Sequence, residues 1–129
     1  MKTIEKLPEA ELDVMLCLWR YDAPVRTAQL FADVQASRGW TISTLKVLLS
    51  RLVEKDFVEL TREGRFTLYR ALVSEKTYRR KETKNLVKRY YQNSVKSMIA
   101  ALVSEEGLSG TDLAEIEAII KRAGEKDVE

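Results

Sequence analysis

Between Thr41 and Lys55 the chain carries Ser43, Thr44, Lys46, Val47, Ser50 and Arg51, residue types suited to reading the edges of base pairs. Lysine and arginine donate to guanine or phosphate, serine and threonine bond either, and a valine methyl packs on the thymine methyl. A helical turn of 100° per residue that buries Leu45, Leu48, Leu49 and Leu52 directs Ser43, Lys46, Val47, Ser50 and Glu54 outward, with Thr44 and Arg51 flanking. Further on, Arg62 and Arg65 stand beside Gly64, where a hairpin tip would reach a phosphate or the minor groove. The same pattern also fits an amphipathic helix whose polar face is merely solvated, and periodicity alone does not separate the two.

Other chemistries are poorly supplied. The 129 residues include no histidine, which removes His-based metal sites, His-dependent triads and imidazole acid-base catalysis. The single cysteine, Cys17, sits in the apolar stretch VMLCLW, where a small thiol is a core residue more often than a reactive one. Glu105, Glu106, Glu115 and Glu117 fall on expected solvent faces without ligand partners, so no catalytic, metal or cofactor site is expected. The net charge of +2 says little, but residues 1–37 hold four basic and six acidic side chains whereas residues 38–70 hold seven and four. The positive field thus begins with the candidate reading helix. Residues 76–96 are more basic still, with eight Lys or Arg against Glu82, as a solvated helix face or as a phosphate-contacting one. No signal-peptide pattern and no apolar run near the ~20 residues of a membrane span is visible, so a cytoplasmic protein without membrane insertion is expected.

The elements that would position the outward face follow from periodicity. Leu12, Met15, Leu16 and Trp19 at i, i+3, i+4, i+7 predict a first helix from Pro8 to Tyr21. After the break at Asp22–Pro24, Val25 and Arg26 suit a short extended piece, and Thr27 suits the cap of a second helix with Leu30, Phe31 and Val34 inward, ending near Gly39. Thr41 is the expected N-cap of the third helix. Beyond Lys55 the runs FVEL and RFTLYRAL, separated by Thr61–Gly64, predict a β-hairpin. Three helices and a hairpin in this order are a winged helix-turn-helix, so the expected fold is mainly α with a small β-hairpin. Residues 1–73 form the winged-helix DNA-binding domain in this reading.

From Ser74 the pattern is helical again, with Val73 and Tyr78 as a staple and Leu86, Val87, Tyr90 and Tyr91 as an apolar stripe. Val95, Met98, Ile99 and Leu102 supply another. After Gly107, Ser109 with Asp112 caps a last helix carrying Leu113, Ile116 and Ile120. Residues 74–129 are too few for a comfortable core of their own. A helical dimerisation domain is the expected use of Leu86, Tyr90, Tyr91, Met98, Ile99, Leu102, Leu113, Ile116 and Ile120.

The segments LPEAELDVMLCLW, GWTISTLKVLLSRLVEKDFVEL and FTLYRALVSEKTYRRKET together resemble the penicillinase and methicillin-resistance repressor family, the BlaI/MecI/CopY group, over nearly the whole chain. The resemblance implies homodimeric repressors whose N-terminal winged helices bind a dyad operator of TACA and TGTA half-sites and whose C-terminal helices join the protomers. It places family DNA contacts at Ser43, Thr44, Lys46, Val47 and Arg51. Ser43 and Val47 depart from the usual lysine and threonine, and Asp56 stands where the family commonly has glycine. In antibiotic-responsive members a sensor protease pathway leads to cutting of an Asn-Phe bond, and the corresponding pair here is Ala101 and Leu102. Copper-responsive members use a paired-cysteine tail, whereas this chain ends in KRAGEKDVE. A winged helix that docks a protein instead of DNA is the alternative from another class, and strong salt-dependent DNA affinity would discriminate. An enzyme ranks third.

Overall fold

The computed structural model describes residues 3–105 and 107–128, with side chains described through residue 125. The elements run α1 (Glu9–Leu18), β1 (Val25–Arg26), α2 (Thr27–Arg38), α3 (Ile42–Glu54), β2 (Val58–Glu63), β3 (Phe66–Ala71), α4 (Glu75–Tyr91), α5 (Val95–Glu105) and α6 (Gly110–Val128). This is the expected winged-helix order. The chain divides into two compact units, at residues 1–83 and 84–129. α4 begins near the expected boundary at residue 73, while the first unit continues through Thr83.

In the first unit β1, β3 and β2 lie side by side in an antiparallel sheet, with Val25 opposite Tyr69 and Val58 opposite Ala71. The core is built from Val14, Met15 and Leu18 of α1, Leu30 and Val34 of α2, the four leucines of α3, and Phe57, Val58 and Tyr69. Tyr78 of α4 completes it, its ring 5.7 Å from Phe57 and 5.8 Å from Trp19. Its hydroxyl accepts the Leu7 N–H at 2.9 Å, and burial pushes the phenol above its ordinary value. The Trp19 indole N–H donates to the Val73 carbonyl at 2.8 Å, so the N-terminal part of the unit is tied to its C-terminal part.

Several local expectations change. α1 ends at Leu18 instead of Tyr21, because Arg20 and Tyr21 bond carbonyls three residues back, at Cys17 and Leu18. Its inward stripe is Glu11, Val14, Met15 and Leu18, and Leu16 is exposed. Cys17 is buried, which raises its thiol above the ordinary value. The capping position of α2 is Arg26, with no side-chain cap bond, and Thr27 is already helical. The strands continue through Glu63, leaving Gly64 and Arg65 as a two-residue turn. Gly64 has φ +64° there, the left-handed value a tight hairpin requires of its first central residue.

The end of α3 is a Schellman motif. Asp56 N–H donates to the Val53 carbonyl at 3.1 Å and Phe57 N–H to the Leu52 carbonyl at 3.0 Å, and Leu52 and Phe57 are both fully buried. Asp56 itself has φ 62°. Aspartate tolerates this region better than most residues but less well than glycine. Asp56→Gly is therefore expected to raise stability by up to about 1 kcal/mol, read as a higher midpoint in urea; a lower midpoint would refute it.

The second unit comprises the end of α4 with α5 and α6. Gln92 and Asn93 take positive φ and end α4, and the Ser94 hydroxyl accepts the Ser97 N–H at 3.1 Å to start α5. Ser109 caps α6 in the same way, accepting the Asp112 N–H at 3.1 Å. Among the described residues of this unit only Val87 is buried. Among the described residues no helix is long and apolar enough to cross a membrane.

Candidate nucleic-acid interface

α3 is fixed from both ends and from beneath. The Thr41 hydroxyl accepts the Thr44 N–H at 3.2 Å, satisfying one of the free donors of the first turn. Leu45, Leu48, Leu49 and Leu52 are buried in the core, which stabilises by roughly 1.5–3 kcal/mol per side chain. At the far end Lys55 Nζ lies 2.6 Å from Glu11 Oε1 of α1. With its buried side so determined, the remaining faces of the helix have no rotational freedom.

Ser43, Thr44, Lys46, Val47, Ser50 and Arg51 are all exposed. Val47 is 51% exposed, an unpartnered aliphatic side chain in the middle of the polar face. Two rows result from the helical repeat. Ile42, Lys46 and Ser50 line a groove of about 630 Å³ shared with the hairpin, to which Arg62 and Arg65 also contribute. Ser43, Val47 and Arg51 form the adjacent row. Of the eight candidate residues, the structure thus gathers Lys46, Ser50, Arg62 and Arg65 around one groove. It leaves Ser43, Thr44, Val47 and Arg51 exposed outside its lining.

Periodicity missed the residues between the two arms of this surface. Ile42, Leu60, Phe66 and Thr67 line the groove together with Arg26. Ile42, Leu60 and Phe66 are exposed apolar side chains, and periodicity alone does not distinguish them from core residues.

In the second unit, taken by itself, Leu86, Tyr90, Leu102, Leu113 and Ile120 are exposed, and Tyr91, Met98, Ile99 and Ile116 are half-buried. Tyr90 is 62% exposed, and Val95, Val103 and Ile119 add to the apolar surface. Ala101 and Leu102 lie inside α5, so cutting between them needs that helix to open first.

Comparison with known proteins fits this geometry. The family described as penicillinase repressor matches residues 7–122. A penicillinase repressor of Bacillus licheniformis is 26% identical over 121 residues, 94% of each chain. A methicillin resistance regulatory protein MecI of Mammaliicoccus sciuri is 27% identical over 123 residues, covering 94% of this chain and 97% of its own. Among solved structures, the DNA binding domain of the repressor BlaI superposes with a TM-score of 0.54 at 28% identity, covering 60% of this chain and 94% of that one. The monomeric form of Bacillus licheniformis BlaI in complex with the blaP half-operator gives 0.52 at 28% identity, with the same coverage. With an N-terminal winged helix whose third helix exposes a polar face, and a family match spanning both units, the chain belongs to the penicillinase repressor family of DNA-binding transcriptional regulators.

Proposed function

We propose that the chain is a homodimeric transcriptional repressor that binds a pseudo-palindromic operator by placing α3 in the major groove of each half-site. The observation that carries this reading is the α3 surface itself: four buried leucines hold it, and lysine, serines, arginine and a bare valine methyl project from it beside a wing bearing Arg62 and Arg65. The relative bound to a half-operator as a monomer supports the view that one winged helix reads one half-site. Two copies joined through the second units would set their reading helices about 34–36 Å apart, one turn of the duplex. The operator is a TACA/TGTA-like dyad. Repression ends when the C-terminal region around Ala101 and Leu102 is cut or otherwise disrupted, because separated protomers lose the bivalent advantage. A sensor protease pathway is the expected source of such a cut, and the chain acts in the cytoplasm.

Arg51→Ala is the direct test. A good bidentate base contact discriminates by about 1–3 kcal/mol, so the variant is expected to bind a dyad duplex roughly 10- to 100-fold more weakly, with a much smaller loss on scrambled DNA. Fluorescence anisotropy measures both, and circular dichroism verifies the fold. Equal affinity of variant and parent for the dyad would remove Arg51 from the base-reading set.

A further inference from the structure

The groove between α3 and the wing contains one more cation than the base-reading set uses. Arg26, the last residue of β1, is exposed and lies opposite Leu68 on β3. Its guanidinium carbon is 3.8 Å from the centroid of the Phe66 ring, within the range of a cation–π contact. By strand alternation Arg26, Leu68 and Phe66 share one face of the sheet, so the arginine lies along that face across the ring. Phe66 is 40% exposed, and the Arg65 guanidinium stands 5.8 Å from the same ring. A planar guanidinium stacked on an aromatic ring keeps its N–H fork free for an oxyanion while losing much of its rotational freedom.

Charge selects the occupant. Arg26, Lys46, Arg62 and Arg65 all line the groove, and its described lining contains no carboxylate. Glu63 lies opposite Phe66 across the hairpin but stays outside that lining. Duplex geometry points the same way: a helix seated in the major groove and a wing tip at the adjacent minor groove are separated by one sugar-phosphate strand. That strand has to pass between the two elements.

We infer that Arg26 binds the phosphates of this intervening DNA strand and that Phe66 is the positioning residue that holds it there. The inference rests on the reading of α3 as a DNA-reading helix. It extends the binding surface to β1, at the start of α2. A phosphate contact carries no sequence information, so it contributes equally to every duplex.

The test uses the full chain, a duplex with TACA and TGTA half-sites in a dyad, and a scrambled duplex of equal length, titrated by anisotropy across a salt series. Arg26→Ala is expected to weaken binding to both duplexes by the same factor, roughly three- to tenfold near 0.15 M salt, and to reduce the slope of log affinity against log salt by about one. Arg26→Gln should repeat this with the polar stem retained. Phe66→Leu should show part of the loss alone and none on top of Arg26→Ala, and Phe66→Tyr should restore it. A merely structural Phe66 would instead give additive losses and a lowered Tm. A parent protein without salt-dependent affinity for either duplex overturns the DNA reading and this inference with it. A parent that binds while Arg26→Ala keeps its affinity and slope, or loses affinity on the dyad alone, overturns the assignment of Arg26 and leaves the DNA reading standing.

Discussion

In the proposed dimer, Leu102→Asp combined with Ile120→Asp is expected to separate the protomers and to lower affinity for a dyad duplex by roughly 10²- to 10⁴-fold. Both side chains are about half exposed, at 47% and 53%, so a charge at either position reaches water in a lone protomer and leaves its fold intact. Across a closed apolar interface the same carboxylates would be stripped of water without a partner, which association cannot offset. The loss on the dyad comes from geometry, because each winged helix keeps its contacts and only the linkage between them is gone. Affinity for a single half-site should therefore stay within about threefold of the parent, since no contact to it changes. Sedimentation at several concentrations gives the oligomeric state, and anisotropy on dyad and half-site duplexes gives the two affinities. A double variant that remains dimeric would place the interface elsewhere.

The leucine stripe of α3 was legible in the sequence because four residues of one type repeat at helical spacing and no charged residue falls on their face. Its cap at Thr41 and its exposed row follow from that stripe with no tertiary information. α1 was read one residue out of phase for the opposite reason. Its inward stripe contains Glu11, and a charged residue at a core position is legible only to a reader who knows that Lys55, 44 residues away, will meet it. The exposed Leu16 then takes its place in the pattern. The groove was half legible: Lys46, Ser50, Arg62 and Arg65 declare themselves by type, whereas Arg26 and Phe66 acquire meaning only when β1 pairs with β3. The break after Tyr91 rests on Gln92 and Asn93 adopting left-handed backbone, and asparagine before serine was a usable signal that the apolar stripes on either side obscured.

The pair that upset the phase of α1 also anchors α3. Glu11 is 2% exposed, and its carboxylate meets Lys55 Nζ at 2.6 Å from the C-terminal end of α3, where a positive charge also complements the helix dipole. Removing one member of a buried ion pair strands the other, at about 3–5 kcal/mol. The Lys55 side chain is 24% exposed, and water entering along that side offsets part of the penalty. Lys55→Ala is accordingly expected to destabilise the first unit by about 2–4 kcal/mol, a large share of the roughly 5–15 kcal/mol that holds a domain together. Glu11→Leu should cost less, because the freed ammonium can turn to solvent. Glu11→Leu with Lys55→Met should come within about 1 kcal/mol of the parent, since apolar groups of similar size fill the site without desolvating charge. Urea unfolding resolves the three variants as shifts in midpoint at a constant slope. If Lys55→Ala proves as stable as the parent, the pair contributes nothing, and the orientation of α3 against α1 has to be ascribed to Leu45, Leu48, Leu49 and Leu52 alone.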